Sequence, residues 1–164
     1  FVTVGSTGFD SLVEACTTMP FLTALERLGY KILLIQYGSS ESIYTRNMTN
    51  NDNGTTIKVQ GYNYKPSITE DMENASLIIS HAGSGSILQA LRIPKPLIVV
   101  SNNLLMDNHQ QELAKAMQDK GYCISTTPSD LISAFDELGK KELTRLPSPS
   151  TDAFSNLLNT HMGF

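Results

Sequence analysis

Positive charge and long apolar runs are scarce in this chain of 164 residues. Twelve lysines and arginines against sixteen acids leave a net charge of −4, which argues against nonspecific binding to nucleic acid. No apolar run approaches the ~20 residues that a membrane-spanning helix needs. Charged residues make up only 17% of the chain and hydrophobic residues 40%, which excludes a disordered tail and a coiled coil. What is left is one globular domain with a core of ordinary size.

Several chemical signatures are missing as well. The dinucleotide fingerprint Gly-x-Gly-x-x-Gly, the Walker A motif and the hydrolase elbow Gly-x-Ser-x-Gly do not occur. The histidines His81, His109 and His161 are too widely spaced for a metal site, and no Asp-x-Asp pair is present for a divalent cation. We therefore expect neither a metal nor a cofactor. The only cysteines, Cys16 and Cys123, are predicted to be buried reduced thiols, and with no secretion signal in the sequence we expect a cytosolic chain.

Short apolar runs alternate with helical patterns along the chain. This alternation predicts an α/β fold with a parallel, doubly wound sheet of the Rossmann type. A helical pattern over residues 10–28 is broken near Pro20 and ends at Gly29. The predicted strands are residues 1–4, 31–36, 57–61, 77–80, 96–100 and 122–126.

Local signals predict the start of two helices and the position of one loop. Asp10 fits the N-cap of the first helix better than a catalytic base. Ser67, with Glu70 three residues later, matches a capping box that would open a short helix. Residues 38–56 are polar and rich in Ser, Asn and Thr, which predicts a mobile surface loop.

Three polar loops follow predicted strands. They are residues 5–8, 81–86 and 107–111, and ligands bind doubly wound sheets outside the carboxyl ends of the strands. In the second loop, the sequence HAGSGS leads from a buried strand through two glycines into a helix. Such a turn places free N–H groups and the positive end of a helix dipole where an anion can sit. The sequence therefore predicts a phosphate cradle in one crevice.

The motifs HAGSGSILQALRIPKPLIVV and DNHQQELA resemble the donor-binding C-terminal half of GT-B glycosyltransferases. With VTVGSTGFDSLV at the start, the similarity extends over about residues 1–140 and is greatest to the UDP-N-acetylglucosamine transferases of dolichol-linked oligosaccharide synthesis. The bacterial peptidoglycan transferase is a related enzyme. The resemblance implies inverting transfer of N-acetylglucosamine from UDP-GlcNAc to GlcNAc-diphosphodolichol, in which a preorganised cradle stabilises the departing UDP without a metal.

The resemblance also implies roles for individual residues. The glycines and serines of residues 83–86 would hold the diphosphate, bordered on the other side by residues 5–7. Gln89 stands where many relatives carry a glutamate on the ribose hydroxyls, and an amide can still bond a hydroxyl. The implied substrate-binding residues are Gly5, Ser6, Thr7, His81, Gly83, Ser84, Gly85, Ser86, Gln89, Asn108, His109 and Gln110.

Alternatives remain open for some of these roles. His81 donates to a phosphate or is a capping histidine bonded to backbone, and residues 5–7 border the diphosphate or form an ordinary βα turn. Residues 108–110 contact the sugar hydroxyls or form a polar first helix turn. The general base is His109 or a residue of a partner.

GT-B enzymes need two Rossmann-like domains, and the resemblance makes this chain the donor half. It implies a membrane-anchored partner subunit that supplies the acceptor site and recruits the chain to the cytosolic face of the endoplasmic reticulum, so the chain alone would be inactive. We predict a UDP-sugar-binding domain over residues 1–140, and a linker and C-terminal helix over 141–164. That helix, with Leu157 and Leu158 on one face, packs on its own domain or docks on the partner. The alternative functions are a noncatalytic nucleotide-binding module and a self-sufficient small-molecule enzyme.

Overall fold

The computed structural model of the chain describes residues 1–50, 54–104 and 108–147. Six parallel strands form one sheet in the order β3-β2-β1-β4-β5-β6. This order, which reverses direction between β1 and β4, is the doubly wound Rossmann arrangement, so the predicted fold class is confirmed. The strands are β1 (Val2–Thr3), β2 (Ile32–Gln36), β3 (Lys58–Tyr62), β4 (Ile78–His81), β5 (Leu97–Val100) and β6 (Ile124–Thr126).

Helices cover both faces of the sheet. Those in the described part of the chain are α1 (Asp10–Cys16), α2 (Met19–Arg27), α3 (Glu41–Asn50), α4 (Thr69–Asn74), α5 (Ser84–Leu91), α6 (Asn108–Asp119) and α7 (Leu131–Lys140). The predicted break falls between α1 and α2, with Pro20 in the first turn of α2. Gly29 follows α2 at φ +85°, a conformation that glycine adopts without steric cost.

The core consists of two apolar layers, one on each face of the sheet. Neighbouring residues of a strand point to opposite faces, and in β5 Ile98 and Val100 join one layer while Leu97 and Val99 join the other. The first layer also takes buried side chains from α1, α2 and α7, and the second from α4, α5 and α6. This double coverage explains why the central strands β4 and β5 are almost entirely buried and lack polar alternation, whereas the edge strand β3 is largely exposed.

The predicted surface loop over residues 38–56 is wrong, because most of it forms α3. Asn, Ser and Thr have low helix propensity, and tertiary contacts overrule it here. The rings of Tyr44 and Tyr37 stack with centroids 4.7 Å apart. Arg46 pairs with Glu14 of α1 at 2.7 Å, so α3 is anchored to the sheet side and to α1.

Both predicted caps are also wrong in position. Asp10 is the first residue of α1, and Phe9 is its N-cap. The N–H of Phe9 donates instead to Ser40 Oγ, at 2.9 Å from the next βα loop. The N-cap of α4 is Ile68, and Ser67 Oγ accepts a bond from the N–H of Thr69 at 3.3 Å. Neither helix has a side-chain hydrogen bond from its N-cap residue.

After α7 the chain crosses the amino-terminal edge of the sheet, where the N–H of Thr144 donates to Gly121 O at 2.8 Å. The predicted C-terminal helix, with Leu157 and Leu158, lies outside the described residues. Within the described residues, no helix is both long and apolar enough to span a bilayer.

Candidate functional site

The turn after β1 interlocks with the turn after β2. Gly38 has φ +55°, and a Cβ built on it would lie 2.4 Å from the carbonyl oxygen of Gly5. Ser39 Oγ donates to the carbonyl of Thr7. The two turns therefore pack backbone against backbone, and a side chain at Gly38 would force them apart. This packing fixes the position of residues 5–7 at the carboxyl edge of the sheet.

Gln36, the last residue of β2, ties three segments together from a buried position. Its Oε1 accepts a bond from Thr3 Oγ1 at 2.6 Å. Its Nε2 donates to the carbonyl of Gly5 at 3.0 Å and to that of Asn63 at 2.8 Å. The amide thus joins β1, the turn after β1 and the loop after β3. Sequence reasoning missed this residue because its partners lie 27 to 33 positions away along the chain.

His81 closes β4 and places its ring between two glycines. A Cβ on Gly5 would lie 2.7 Å from its Cε1, and one on Gly83 would lie 2.3 Å from its Nε2. Burial is the main influence on the ring and lowers the pKa of His81, while the backbone of Thr3 acts in the opposite direction. Nδ1 is buried, and no hydrogen bond of ordinary geometry joins it to any described residue. The contact of His81 with a phosphate stays a prediction, and the lowered pKa favours the neutral form of the ring.

The N-terminus of α5 faces the same edge. Gly83 is its N-cap, and no side chain of the described residues caps it, so the first N–H groups of the helix point outward. The two glycines have different roles. Gly83 is required by the His81 ring, whereas a Cβ on Gly85 would meet nothing within 4 Å. Ser84 and Ser86 are half-buried beside them.

A cavity of about 230 Å³ lies between these elements. Of the residues that sequence predicted for substrate binding, Gly5, Ser6, Ser86 and Gln89 line it together, and Gln89 Nε2 donates to Thr69 Oγ1 at 2.8 Å. The rest of the lining was not predicted, above all the loop from Tyr64 to Ile68. No carboxylate occurs among the described lining residues, which are Thr3, Gly5, Ser6, Gln36, Tyr64, Lys65, Pro66, Ser67, Ile68, Ser86 and Gln89.

None of the described residues of the third predicted loop belongs to this lining. His109 lies at the start of α6 with 84% of its side chain exposed, and its Nδ1 is 4.0 Å from Glu112. Gln110 is half-buried, and Asp107 and the side chain of Asn108 lie outside what the structure describes. The roles of residues 108–110 in sugar recognition and of His109 as a base stay predictions.

Larger cavities lie at the opposite edge of the sheet. One of about 690 Å³ is lined by residues 91–96 and 138–147 with Tyr122, and one of about 510 Å³ by residues around Phe1, Tyr30 and Leu77. Neither contains a predicted site residue. Ligands of doubly wound sheets bind at the carboxyl edge, so the smaller cavity is the candidate site. Among the described residues, no cluster of three or more His, Cys, Asp or Glu could hold a metal.

Replacing Gln36 with methionine should lower the free energy of unfolding by about 2–4 kcal/mol, because buried partners lose their bonds. It should also speed amide hydrogen exchange in residues 5–8 and 63–68. Thr17→Val is the matched control, since Thr17 is equally buried and bonds Val13 O at 2.8 Å away from the cavity. The control should lower stability without changing exchange in those two segments. Unchanged exchange in Gln36→Met would contradict the role assigned to Gln36.

The fold and the cavity together place the chain in the Rossmann-like class of domain, with a glycine-rich strand-to-helix turn at the carboxyl edge. Comparison with known families makes the assignment specific. The sequence model of the family described as "Glycosyltransferase family 28 C-terminal domain" matches residues 1–160. The chain therefore belongs to this family. The resemblance to GT-B donor domains predicted from the motifs is thereby confirmed.

Similar proteins from other organisms are named as glycosyltransferase subunits. A Mus musculus protein named UDP-N-acetylglucosamine transferase subunit ALG13 is 40% identical over 96% of this chain, which spans 14% of that protein. A Candida glabrata protein of the same name is 34% identical, with 98% of this chain and 96% of the relative covered.

Solved structures agree on the fold. An NMR solution structure of ALG13 superposes with a TM-score of 0.74 at 30% identity, covering 96% of this chain and 93% of the other. The crystal structure of Acinetobacter baumannii MurG gives a TM-score of 0.59 at 20% identity over 84% of this chain and 40% of MurG. At that identity MurG supports the fold alone.

Proposed function

We propose that the chain is the donor-binding, catalytic subunit of an inverting UDP-N-acetylglucosamine transferase. The observation that carries this proposal is the cavity at the carboxyl edge, which brings Gly5, Ser6, Ser86 and Gln89 together beside the N-terminus of α5. The names of the ALG13 relatives, which call them transferase subunits, support the same substrate. In the proposed acceptor reaction the sugar passes to GlcNAc-diphosphodolichol.

In this mechanism the chain's own groups stabilise the leaving UDP. The outward N–H groups of α5 and the Ser84 and Ser86 hydroxyls donate to the diphosphate, with a partial positive charge of about half an elementary charge at the helix end. Preorganised donors of this kind commonly contribute more to rate enhancement than any other single effect. Burial lowers the pKa of His81, which favours the neutral ring, and the neutral ring would offer a hydrogen bond to phosphate and no full charge. The base that deprotonates the acceptor hydroxyl is His109 or a group of the partner.

The second half of the proposal is a membrane-anchored partner subunit that supplies the acceptor site and holds the chain at the cytosolic face of the endoplasmic reticulum. The word "subunit" in the names of the relatives supports a partner. The test is transfer of radiolabelled N-acetylglucosamine from UDP-GlcNAc to a lipid-linked acceptor, with and without the partner. Turnover only by the pair is the expected result. Turnover by the chain alone would identify a self-sufficient enzyme, and UDP-GlcNAc binding without turnover by the pair would identify a binding module.

Chelation should leave transfer largely intact. The sequence has no Asp-x-Asp motif, and the described lining of the cavity has no carboxylate to bridge a metal and the diphosphate. The measurement is the initial rate of the reconstituted pair in excess EDTA. Loss of activity that magnesium or manganese restores would contradict this prediction.

The proposed docking of the C-terminal helix gives a further prediction. Leu157→Asp combined with Leu158→Asp should weaken association with the partner roughly thirtyfold, because unpaired charges buried in an interface cost about 2 kcal/mol. Co-purification with the partner is the measurement, and UDP-GlcNAc binding by the variant chain is the control and should survive. Wild-type yield of the complex would assign the helix to packing on its own domain.

A further inference from the structure

Lys65 is the one charged side chain among the described residues that line the 230 Å³ cavity. It lies in the loop between β3 and α4, with 45% of its side chain exposed. Its Nζ is 3.0 Å from each carboxylate oxygen of Asp71 and 4.2 Å from the centre of the Tyr62 ring. The ammonium is therefore held by Asp71 and Tyr62, which are not themselves lining residues of the cavity.

When Lys65 leaves Asp71, the carboxylate keeps other stabilising neighbours. The hydroxyl of Tyr62 donates to Asp71 Oδ2, and Asp71 lies in the first turn of α4, where the helix dipole stabilises a negative charge. Burial and the hydrogen bond to Asp71 together raise the pKa of Tyr62, so its hydroxyl remains protonated and available as a donor. The side chain of Lys65 is 45% exposed, so water can solvate its ammonium when it leaves the pair. The Tyr62 hydroxyl and the helix dipole then remain to stabilise the Asp71 carboxylate.

We propose that Lys65 binds the diphosphate of the nucleotide sugar, moving from Asp71 to the phosphate oxygens when the ligand enters the cavity. This inference rests on the proposed function and adds a residue to it. The N-terminus of α5 provides only partial charge, while a diphosphate carries full negative charges and the chain has a net charge of −4. The ammonium of Lys65, which belongs to the cavity lining, compensates that charge once it leaves Asp71.

The test separates the diphosphate from the nucleoside. Calorimetric titrations compare UDP with uridine, which lacks phosphate, on the wild-type chain and on Lys65→Met and Lys65→Arg. Lys65→Met should lower UDP affinity about tenfold or more, the range for a hydrogen bond to a charged group, and leave uridine affinity unchanged. Lys65→Arg should retain most of the UDP affinity. Lys115→Met, on the exposed face of α6, removes the same charge elsewhere and should change neither affinity.

Asp71→Asn gives a result of opposite sign. It releases Lys65 and keeps an acceptor for Tyr62, so UDP affinity should rise severalfold. If the pair only stiffens the loop, Asp71→Asn would lower affinity, which would overturn the inference. Unchanged UDP affinity in Lys65→Met, or an equal loss for UDP and uridine, would overturn it as well. Failure of the wild-type chain to bind UDP would overturn the proposed function itself.

Discussion

Ser86→Tyr should reduce the affinity for UDP-N-acetylglucosamine at least a hundredfold. Ser86 lies in the first turn of α5 and lines the 230 Å³ cavity, and a phenol ring there would occupy the space between α5 and the turn after β1. The ring would also displace the diphosphate from the N–H groups of α5, on which most of the proposed binding depends. Isothermal titration calorimetry of the purified chain measures the effect.

The control for Ser86→Tyr is the same substitution on the outer face of α7, where Ser133 is exposed. Ser133→Tyr should leave the affinity unchanged, and both variants should keep the wild-type circular dichroism spectrum because Ser86 is only half-buried. Wild-type affinity in Ser86→Tyr would show that the nucleotide sugar binds elsewhere.

Gly38→Ala should lower the free energy of unfolding by more than about 3 kcal/mol. The alanine Cβ would lie 2.4 Å from the carbonyl oxygen of Gly5, and φ is +55°. The atoms that this Cβ would meet belong to the backbone of Gly5 and Gly8, so the two interlocked turns must separate. Urea denaturation measures the loss.

Gly29→Ala provides a matched comparison, because Gly29 also has positive φ, at +85°, but a Cβ there meets nothing within 4 Å. Gly29→Ala should therefore lower the free energy of unfolding only by the backbone strain of positive φ, about 1 kcal/mol. The difference between the two variants therefore isolates the contact between the turns. Equal losses would contradict the interlocking that positions residues 5–7.

Sequence patterns predicted those parts of the fold that depend on local signals. Strands buried on both faces are apolar runs. Gly29, at positive φ, marks the end of a helix in a conformation that only a residue without a Cβ adopts easily. Helix α3 was missed because Asn and Thr disfavour helix, and contacts that stabilise it, such as the bond that Asn47 Nδ2 donates to Thr17 Oγ1, join residues far apart in the sequence.

Some residues of the candidate site have a local sequence signal and others do not. Ser86 and Gly5 follow strands and lie in glycine-rich turns, so topology alone placed them at one edge. Gln36 is the polar end of an apolar run and Lys65 lies in an ordinary polar loop, so neither has a local signature. Their importance comes from partners on other segments, such as Asn63 for Gln36 and Asp71 for Lys65. A single sequence does not show such pairs.

The most direct test of the account is an amide NMR titration of the 18.0 kDa chain with UDP-N-acetylglucosamine. If the nucleotide sugar binds in the 230 Å³ cavity, chemical shift changes will cluster in residues 5–6, 64–68 and 84–89. Changes confined to residues 91–96 and 141–147, which line the larger cavity at the opposite edge, or no saturable changes at all, would contradict the assignment of this chain as the donor-binding subunit.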